Sequence, residues 1–382
     1  MKSERASVDM SSSYSSIRIR PELRAAQVER ARRMTPALTL YFDEKYDLGK
    51  TVIPSSFRKV SLFECIRILA STEADVLEIP EPLWLRFAAK NLLLSGAWKL
   101  FGLMGRRRRI SVAYAIENND LRNLISPTGA CHPLVERAAR AAAGLFVRLT
   151  VDRFVFGSAA SKVLYHSLDG VSKIPHRLIE ELPARSTRPV PLDSTAESRL
   201  RAIFVGELDD RKGILDLTEA WTSVERAVPQ ASLTVVGGGK YATAVSQWCA
   251  EMPDSRTYAG FVQHDETARI ISASDVLVAP SRRAGRWREQ IGLPIVEGLS
   301  AGVTIVTTDE TGLATWLRDN GHVVISEKSV RRDLPAAIIG ALKTPLGRES
   351  VLATLPETPG RVASDSWLHT LVLPTSSEDR KS

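Results

Sequence analysis

Glu289 and Glu297 flank a bend written EQIGLPIVE, with seven residues between them, Gly292 and Pro294 among these. Pro294 suits a first helical position, where its missing N–H costs nothing. The stretch therefore reads as a turn opening a helix, with Glu297 in the first turn and Glu289 on the loop before it. Free N–H groups around Gly292–Ile295 favour an anion such as a diphosphate, and each carboxylate accepts hydrogen bonds from hydroxyls. A diphosphate beside vicinal hydroxyls describes a nucleotide sugar. Two acids near a helix start also complement the helix dipole, and spacing alone does not separate these readings.

Two further stretches have the same build. In AIFVGELDDRKG a strand ends at Gly206, a polar loop follows, and Lys212 and Gly213 stand at a helix start. A lysine there adds point charge to free backbone N–H groups; alone, it reads equally as a solvated loop lysine. LTVVGGGKY places Gly237, Gly238 and Gly239 directly after a strand, without the spacing of a dinucleotide fingerprint. The loop SRRAGRWREQIG before the acidic bend adds Arg282, Arg283, Arg286 and Arg288. The histidines, His132, His166, His176, His264, His322 and His369, have no metal-like spacing.

Positioning these loops requires strands that alternate with helices. Residues 200–345 predict that alternation: strands at 201–205, 232–236, 255–260, 275–279 and 303–307, and helices at 213–228, 241–251, 265–273, 294–301 and 334–342. The first half gives strands at 36–42, 74–80, 110–116 and 152–158, with helical patterns at 57–71 and 134–149. Strands separated by helix-length segments imply parallel sheets with covering helices. Residues 183–199 are dense in Pro, Ser and Thr and read as a linker. Residues 1–34 carry little apolar content and are expected to be disordered or loosely helical. The expected organisation is thus a flexible segment 1–34, an α/β domain 35–182, a linker 183–199, a second α/β domain 200–345, and a tail 346–382 that crosses back to the first domain.

The totals agree. At 382 residues the chain exceeds one ordinary core, and 44% hydrophobic with 25% charged residues is the average globular composition. No apolar run reaches the roughly 18 residues of a spanning helix, and the polar N-terminus lacks a secretory signal. The cysteines Cys65, Cys131 and Cys249 are scattered and odd in number, which suits buried thiols in a cytoplasmic protein. A net charge of +7 suits anionic partners or ordinary surface charge.

In order along the chain, FVGELDDRKG, LTVVGGG, YAGFV, ASDVLVAPS, EQIGLPIVEGLSAG and TIVTTDETG resemble the motifs of retaining glycosyltransferases of the GT-B fold, in the large family four. The resemblance covers about residues 200–325, and the first half in outline only. It implies two Rossmann-like domains whose parallel sheets face each other across a cleft, and a cytosolic hexosyltransferase that moves a sugar from a nucleoside-diphosphate sugar to a glycan or lipid-linked acceptor, as in envelope polysaccharide or glycolipid assembly. By position it implies that Glu297 binds the donor ribose, that Glu289 contacts hydroxyls of the transferred sugar, and that Gly292, Leu293 and Pro294 border sugar and phosphates. Lys212 then neutralises the leaving diphosphate, with Arg211, Gly206, Gly237 and Gly238 on the donor side.

The absence of any D-x-D pair fits a metal-independent enzyme without a cofactor. Two departures stand out. Many relatives carry arginine where this chain has Glu207, which leaves Arg211 or an arginine of the 282–288 loop to hold phosphate, and keeps a non-catalytic nucleotide-sugar-binding protein of the same fold as the alternative. Relatives often place a histidine after the third N-terminal strand; here Glu117 and Asn118 stand there, either as sugar-hydroxyl acceptors or as a strand-end cap.

Residues 83–109 carry two tryptophans, many leucines and the run Arg106–Arg109. Arg86, Lys90 and Lys99 fit one polar face. The segment reads either as a sheet-covering helix followed by a solvated basic turn, or as an interfacial segment that docks the protein on the anionic inner membrane face. The arginine clusters lack interleaved aromatics or a known module, so nucleic acid is not an expected partner.

Overall fold

The structure is a computed structural model, and it describes residues 14–45, 48–49, 51–126, 130–185, 200–285 and 287–370. The first lobe runs β1 (Ser16–Leu23), α1 (Ala25–Ala31), β2 (Leu38–Glu44), β3 (Phe57–Lys59), α2 (Leu62–Ser71), β4 (Val76–Ile79), α3 (Ala88–Met104), β5 (Ile110–Ala115), α4 (Leu121–Ile125), α5 (Pro133–Thr150), β6 (Arg153–Phe156), α6 (Ala159–His166) and β7 (His176–Leu178). The second runs β8 (Leu200–Val205), α7 (Ile214–Ala227), β9 (Ala231–Val236), α8 (Ala242–Ala250), β10 (Arg256–Gly260), α9 (His264–Ser272), β11 (Val276–Ala279), α10 (Leu293–Ser300), β12 (Thr304–Thr308), α11 (Ala314–Asp319), β13 (Val323–Ile325) and α12 (Val330–Lys343). Two helices follow, α13 (Arg348–Ala353) and α14 (Gly360–His369).

Each lobe holds one parallel sheet. The seven-stranded sheet has the order β3-β2-β1-β4-β5-β6-β7, and the six-stranded sheet β10-β9-β8-β11-β12-β13. Helices cover both faces of the second sheet, which explains its near-continuous apolar strands: Ile203, Leu277 and Ile305 pack into one core layer while Phe204, Val278 and Val306 pack into the other. In each order the sequence direction reverses once, between β1 and β4 and between β8 and β11. Open α/β sheets bind ligands outside the carboxyl ends of strands at such a reversal, so the topology alone marks two adjoining places for chemistry.

The expected flexible segment 1–34 is overturned where it is described. Residues 16–23 form β1, which pairs with both β2 and β4 at the centre of its sheet. Alternation of Ile17 and Ile19 with Arg18 and Arg20 looks like a half-exposed edge. Arg18 is nonetheless only 3% exposed, because its guanidinium meets Glu78 at 3.1 Å and Asp365 at 2.6 Å. The partners that make burial of this arginine tolerable lie 60 and 347 residues away, outside any local window. Residues 1–13, most of the expected linker (186–199) and the last part of the tail (371–382) lie outside the described residues.

Helix α14 packs against β5 and β6 of the first lobe. Its Arg361 joins Glu78 at 2.5 Å and its His369 Nε2 lies 3.0 Å from the same carboxylate. The cluster Glu78, Asp365 and His369 has metal-like geometry, but its carboxylate oxygens already accept from Arg18, Arg20 and Arg361. It is an ion cluster that ties the end of the chain to its first strand.

Candidate active site

The loops at the carboxyl ends of β8 and β11 meet at the reversal point of the second sheet. After β8 the chain makes a 3-10 turn, Asp210–Lys212, capped by Asp209, whose Oδ1 accepts from the Lys212 N–H at 3.0 Å. Gly213 ends this turn at φ 73°, and a Cβ there would lie 2.1 Å from the Pro280 carbonyl. Only glycine lets the Lys212 loop close against the end of β11. Gly237 plays the same part beside Gly206, whose carbonyl would lie 1.9 Å from an added Cβ; Gly238 has open space around it and its carbonyl accepts from the Leu208 N–H.

These constraints bring Lys212 and Glu289 together. Lys212 Nζ pairs with Glu289 Oε2, and the Ser281 hydroxyl donates to the same oxygen at 3.2 Å. The cation and the carboxylate singled out from sequence thus form one ion pair, 77 residues apart in the chain. Trp287, to which the sequence reading gave no role, lies under two cations: the Arg211 guanidinium is 4.7 Å from its ring centre and Lys212 Nζ 5.2 Å. A lone aromatic among arginines in RRAGRWREQ was the signal available.

The candidate phosphate-binding arginines sort by partner. Arg282 donates to both oxygens of Asp216 at 3.0 Å and to Glu327 at 3.2 Å. Arg283 and Arg288 face the buried Glu310 at 3.5 and 3.0 Å, and Arg288 also donates to the Asn118 and Asp309 carbonyls. Arg286 lies outside the described residues. Arg211 pairs with Glu207 and, at 2.7 Å, with Asp209. Glu207 therefore holds the cation that stands beside Lys212.

Gly292 caps α10, Leu293 is its first residue and Pro294 its second. The helix starts one residue earlier than the proline implied, so Glu297 falls in the second turn rather than the first. Its side chain is 17% exposed and lies 3.5 Å from His264 Nδ1. Burial pushes the Glu297 carboxyl above its ordinary value, partly offset by His264. Among the described residues His264 is its only ion-pair partner, so Glu297 keeps lone pairs for a ligand. Glu297 and Glu289 thus have separate partners, His264 for the one and Lys212 with Ser281 for the other.

Across the cleft, the loop after β5 meets the acidic bend. The Asn118 N–H donates to Gln290 Oε1 at 3.1 Å and its side-chain amide to the Glu289 carbonyl at 2.9 Å. Gln290 Nε2 donates in return to Glu117 Oε1 at 3.0 Å, an oxygen that also accepts from the Asn119 N–H at 2.8 Å. Glu117 is thus a loop cap and a bridge between lobes at once. Beneath it, Glu81 accepts from the Ile116 and Glu117 N–H groups at 2.7 and 3.2 Å and from the Tyr165 hydroxyl. Burial raises the Glu81 carboxyl to about 7, with Glu117 nearby adding to the effect and the hydrogen bonds opposing it.

Two facing parallel sheets with loops converging at their reversal points define a GT-B protein. The crystal structure of Anabaena HepE in complex with UDP superposes with a TM-score of 0.60 at 14% identity, covering 93% of this chain and 95% of that one. Residues 199–344 match the family described as glycosyl transferases group 1. Over 139 residues it is 30% identical to a GDP-mannose-dependent alpha-(1-6)-phosphatidylinositol monomannoside mannosyltransferase of Mycobacterium tuberculosis, covering 35% of this chain and 36% of that protein. A phosphatidyl-myo-inositol mannosyltransferase of the same organism is 28% identical over 170 residues, or 42% and 43% of the two chains. The matched stretches thus span well under half the length of these curated relatives.

Proposed function

We propose that the protein is a retaining glycosyltransferase that moves a sugar from a nucleoside-diphosphate sugar to a glycan or lipid-linked acceptor in envelope glycolipid or polysaccharide assembly. The observation that carries this reading is the Lys212–Glu289 pair at the β8/β11 reversal, between a glycine-lined loop and the start of α10. Departure of a nucleoside diphosphate builds negative charge. A fixed lysine, the adjacent Arg211 and the free N–H groups of α10 stabilise that charge more in the transition state than before it. Glu289, on the same spot, is placed for hydroxyls of the transferred sugar, and Glu297, further along α10, for the ribose. Retention follows from attack by the acceptor on the face the diphosphate leaves, with Gln290 and Glu117 closing the first lobe over the reacting centre.

The relatives named for phosphatidylinositol acceptors support a lipid-linked substrate, and the first lobe has a surface for it. Among the described residues no helix is long and apolar enough to cross a membrane. On α3, however, Leu92, Leu93, Leu100, Leu103 and Met104 are exposed, Leu103 by 79%. Leu134, Val135, Leu145 and Leu149 are exposed on the neighbouring α5. The polar face expected of Arg86, Lys90 and Lys99 is not built. Lys99 pairs with Asp152, Lys90 lies over the Phe42 and Phe87 rings, and Arg86 precedes α3 in a 3-10 turn. Nor is the whole Arg106–Arg109 run solvated: Arg109 donates to the Leu69 and Thr72 carbonyls and Arg107 pairs with Glu73. The outward face is apolar and Arg106 and Arg108 flank it, which suits peripheral docking on an anionic lipid surface.

Incubation with UDP-, GDP- and ADP-sugars tests the reading. One class should raise the melting temperature and release its nucleoside diphosphate when acceptor is present. Glu297→Ala should abolish the shift; an undiminished shift refutes the ribose assignment, and binding without release favours a non-catalytic nucleotide-sugar binder.

A further inference from the structure

The bend that carries Glu289 is held from two sides. Within its own lobe the Gly312 N–H donates to the Gln290 carbonyl at 2.9 Å and the Thr311 hydroxyl to the Ile291 carbonyl at 2.7 Å. From the first lobe Asn118 meets three consecutive residues of the bend. Arg288 donates to its carbonyl at 2.7 Å, the Glu289 carbonyl accepts from its side-chain amide at 2.9 Å, and Gln290 Oε1 accepts from its N–H at 3.1 Å. The joint is close-packed. A Cβ added at Gly312 would lie 2.2 Å from the Gln290 carbonyl oxygen and 3.2 Å from Asn118 Nδ2, and Asn118 is 4% exposed. Its Oδ1 is buried with no hydrogen-bond partner. An unmatched buried amide oxygen is costly, and an apolar side chain would avoid that cost. What asparagine adds is the amide N–H that reaches the Glu289 carbonyl across the cleft.

We propose that Asn118 is a positioning residue, which sets the backbone at Glu289 so that its carboxylate stands against Lys212. The peptide plane that carries the Glu289 carbonyl is rigid, so holding its oxygen restricts rotation at Glu289 and fixes where the side chain starts. That side chain ends on Lys212 Nζ and the Ser281 hydroxyl. The carboxylate lies several rotatable bonds from the backbone, so a small turn of the peptide moves it far. Displacing a reacting group by about 1 Å costs up to about a hundredfold in rate. The part Asn118 plays in turnover rests on the glycosyltransferase reading above; its part in placing the ion pair does not. Under that reading the nucleoside diphosphate is held by Lys212, Arg211 and Glu297, all of the second lobe. Loss of the Asn118 amide therefore lowers turnover without weakening nucleotide binding.

Four variants of the full chain test this: Asn118→Ala, Asn118→Ser, Glu289→Ala, and Asn118→Ala combined with Glu289→Ala. The first readout needs no donor. A lysine whose ammonium donates to a carboxylate acylates slowly, because it attacks only after losing a proton. Labelling of Lys212 by acetic anhydride, read by mass spectrometry against the other lysines, should rise several-fold in Asn118→Ala and in Glu289→Ala. It should rise less in Asn118→Ser, which keeps a donor, and no further in the double variant than in Glu289→Ala. The second readout is release of nucleoside diphosphate from UDP-glucose or GDP-mannose with water as acceptor. Asn118→Ala should lower that rate about tenfold without weakening calorimetric affinity for UDP or GDP, and should cost nothing more in the Glu289→Ala background. Lys212 labelling that stays at the parent's level in both Asn118 variants overturns the proposal, as do effects that add in the double variant. So does a release rate equal to the parent's, or a loss of nucleotide affinity as large as the loss of rate. Where Asn118→Ala fails to fold, Asn118→Ser carries the same comparisons. Should the parent bind neither nucleotide while Lys212 labels in the non-additive pattern, the donor reading fails and the placement of the pair by Asn118 stands.

Discussion

Lys212 and Glu289 neutralise each other, so under the proposed function a diphosphate would compete for a lysine that is already paired. The second cation at that spot is Arg211, paired with Glu207 and Asp209 of its own loop and set against the face of Trp287. A cation desolvated against an aromatic ring gains about 0.5–2 kcal/mol. Trp287→Leu should therefore weaken nucleoside-diphosphate binding several-fold, Trp287→Phe less, and Arg211→Ala about tenfold. Arg282→Ala should leave nucleotide affinity within about twofold while lowering stability, because it strips donors from the buried Asp216. Titration calorimetry decides it: equal losses for Arg211→Ala and Arg282→Ala would contradict the sorting by partner. What sequence revealed here was the acidic bend, because a glycine, a proline and two acids act locally. Which arginines are drawn away from the Lys212 loop was illegible, because Asp216, Glu310 and Glu327 lie far in sequence from the 282–288 loop they pair with.

At the scale of elements, the second lobe was legible almost strand for strand, because parallel strands buried on both faces are written as short apolar runs. The first lobe was read less well, and β1 shows why: its arginines are buried, but their neutralising partners come from β4 and α14. Helix α3 is the second case. It is apolar nearly all round, which ordinarily means burial, yet Leu92, Leu93, Leu100 and Leu103 remain uncovered beside the exposed leucines of α5. An uncovered two-helix face beside Arg106 and Arg108, which have no ion-pair partner among the described residues, should bind anionic vesicles. Leu100→Asp with Leu103→Asp should abolish co-sedimentation with phosphatidylglycerol vesicles without lowering the melting temperature, since both side chains are more than half exposed. Arg106→Ser with Arg108→Ser should lower it and increase its salt sensitivity, at about 1 kcal/mol per cation. Sedimentation that survives both pairs of changes would leave the face without a lipid role.

The whole molecule is held together by buried carboxyls of opposite behaviour. At Glu78 burial works to raise the carboxyl, but Arg20, Arg361, His369 and Arg18 outweigh it and hold it well below the ordinary value of 4.5. Its folded value lies under its unfolded one, so the stability it contributes is present above about 4.5 and lost as pH falls through the folded value. Glu81 and Glu180 are the reverse: burial raises each to about 7. Their folded values exceed the unfolded one, so what they contribute is full below 4.5 and is lost as pH rises through 7, on the order of 1–3 kcal/mol apiece. Together these groups place maximal stability near pH 5, with a decline toward pH 7 and a level stretch above it. Melting temperatures taken from pH 4 to 8 should trace that shape. Glu81→Gln with Glu180→Gln should flatten the limb between pH 5 and 7. Glu78→Gln should lower the melting temperature above pH 5, since it leaves guanidiniums of β1 and α14 unmatched in the interior. Because those guanidiniums join the first strand to the last helix, that loss should appear as earlier unfolding of the first lobe. A profile of Glu78→Gln that parallels the parent at every pH would remove the ion cluster from this account.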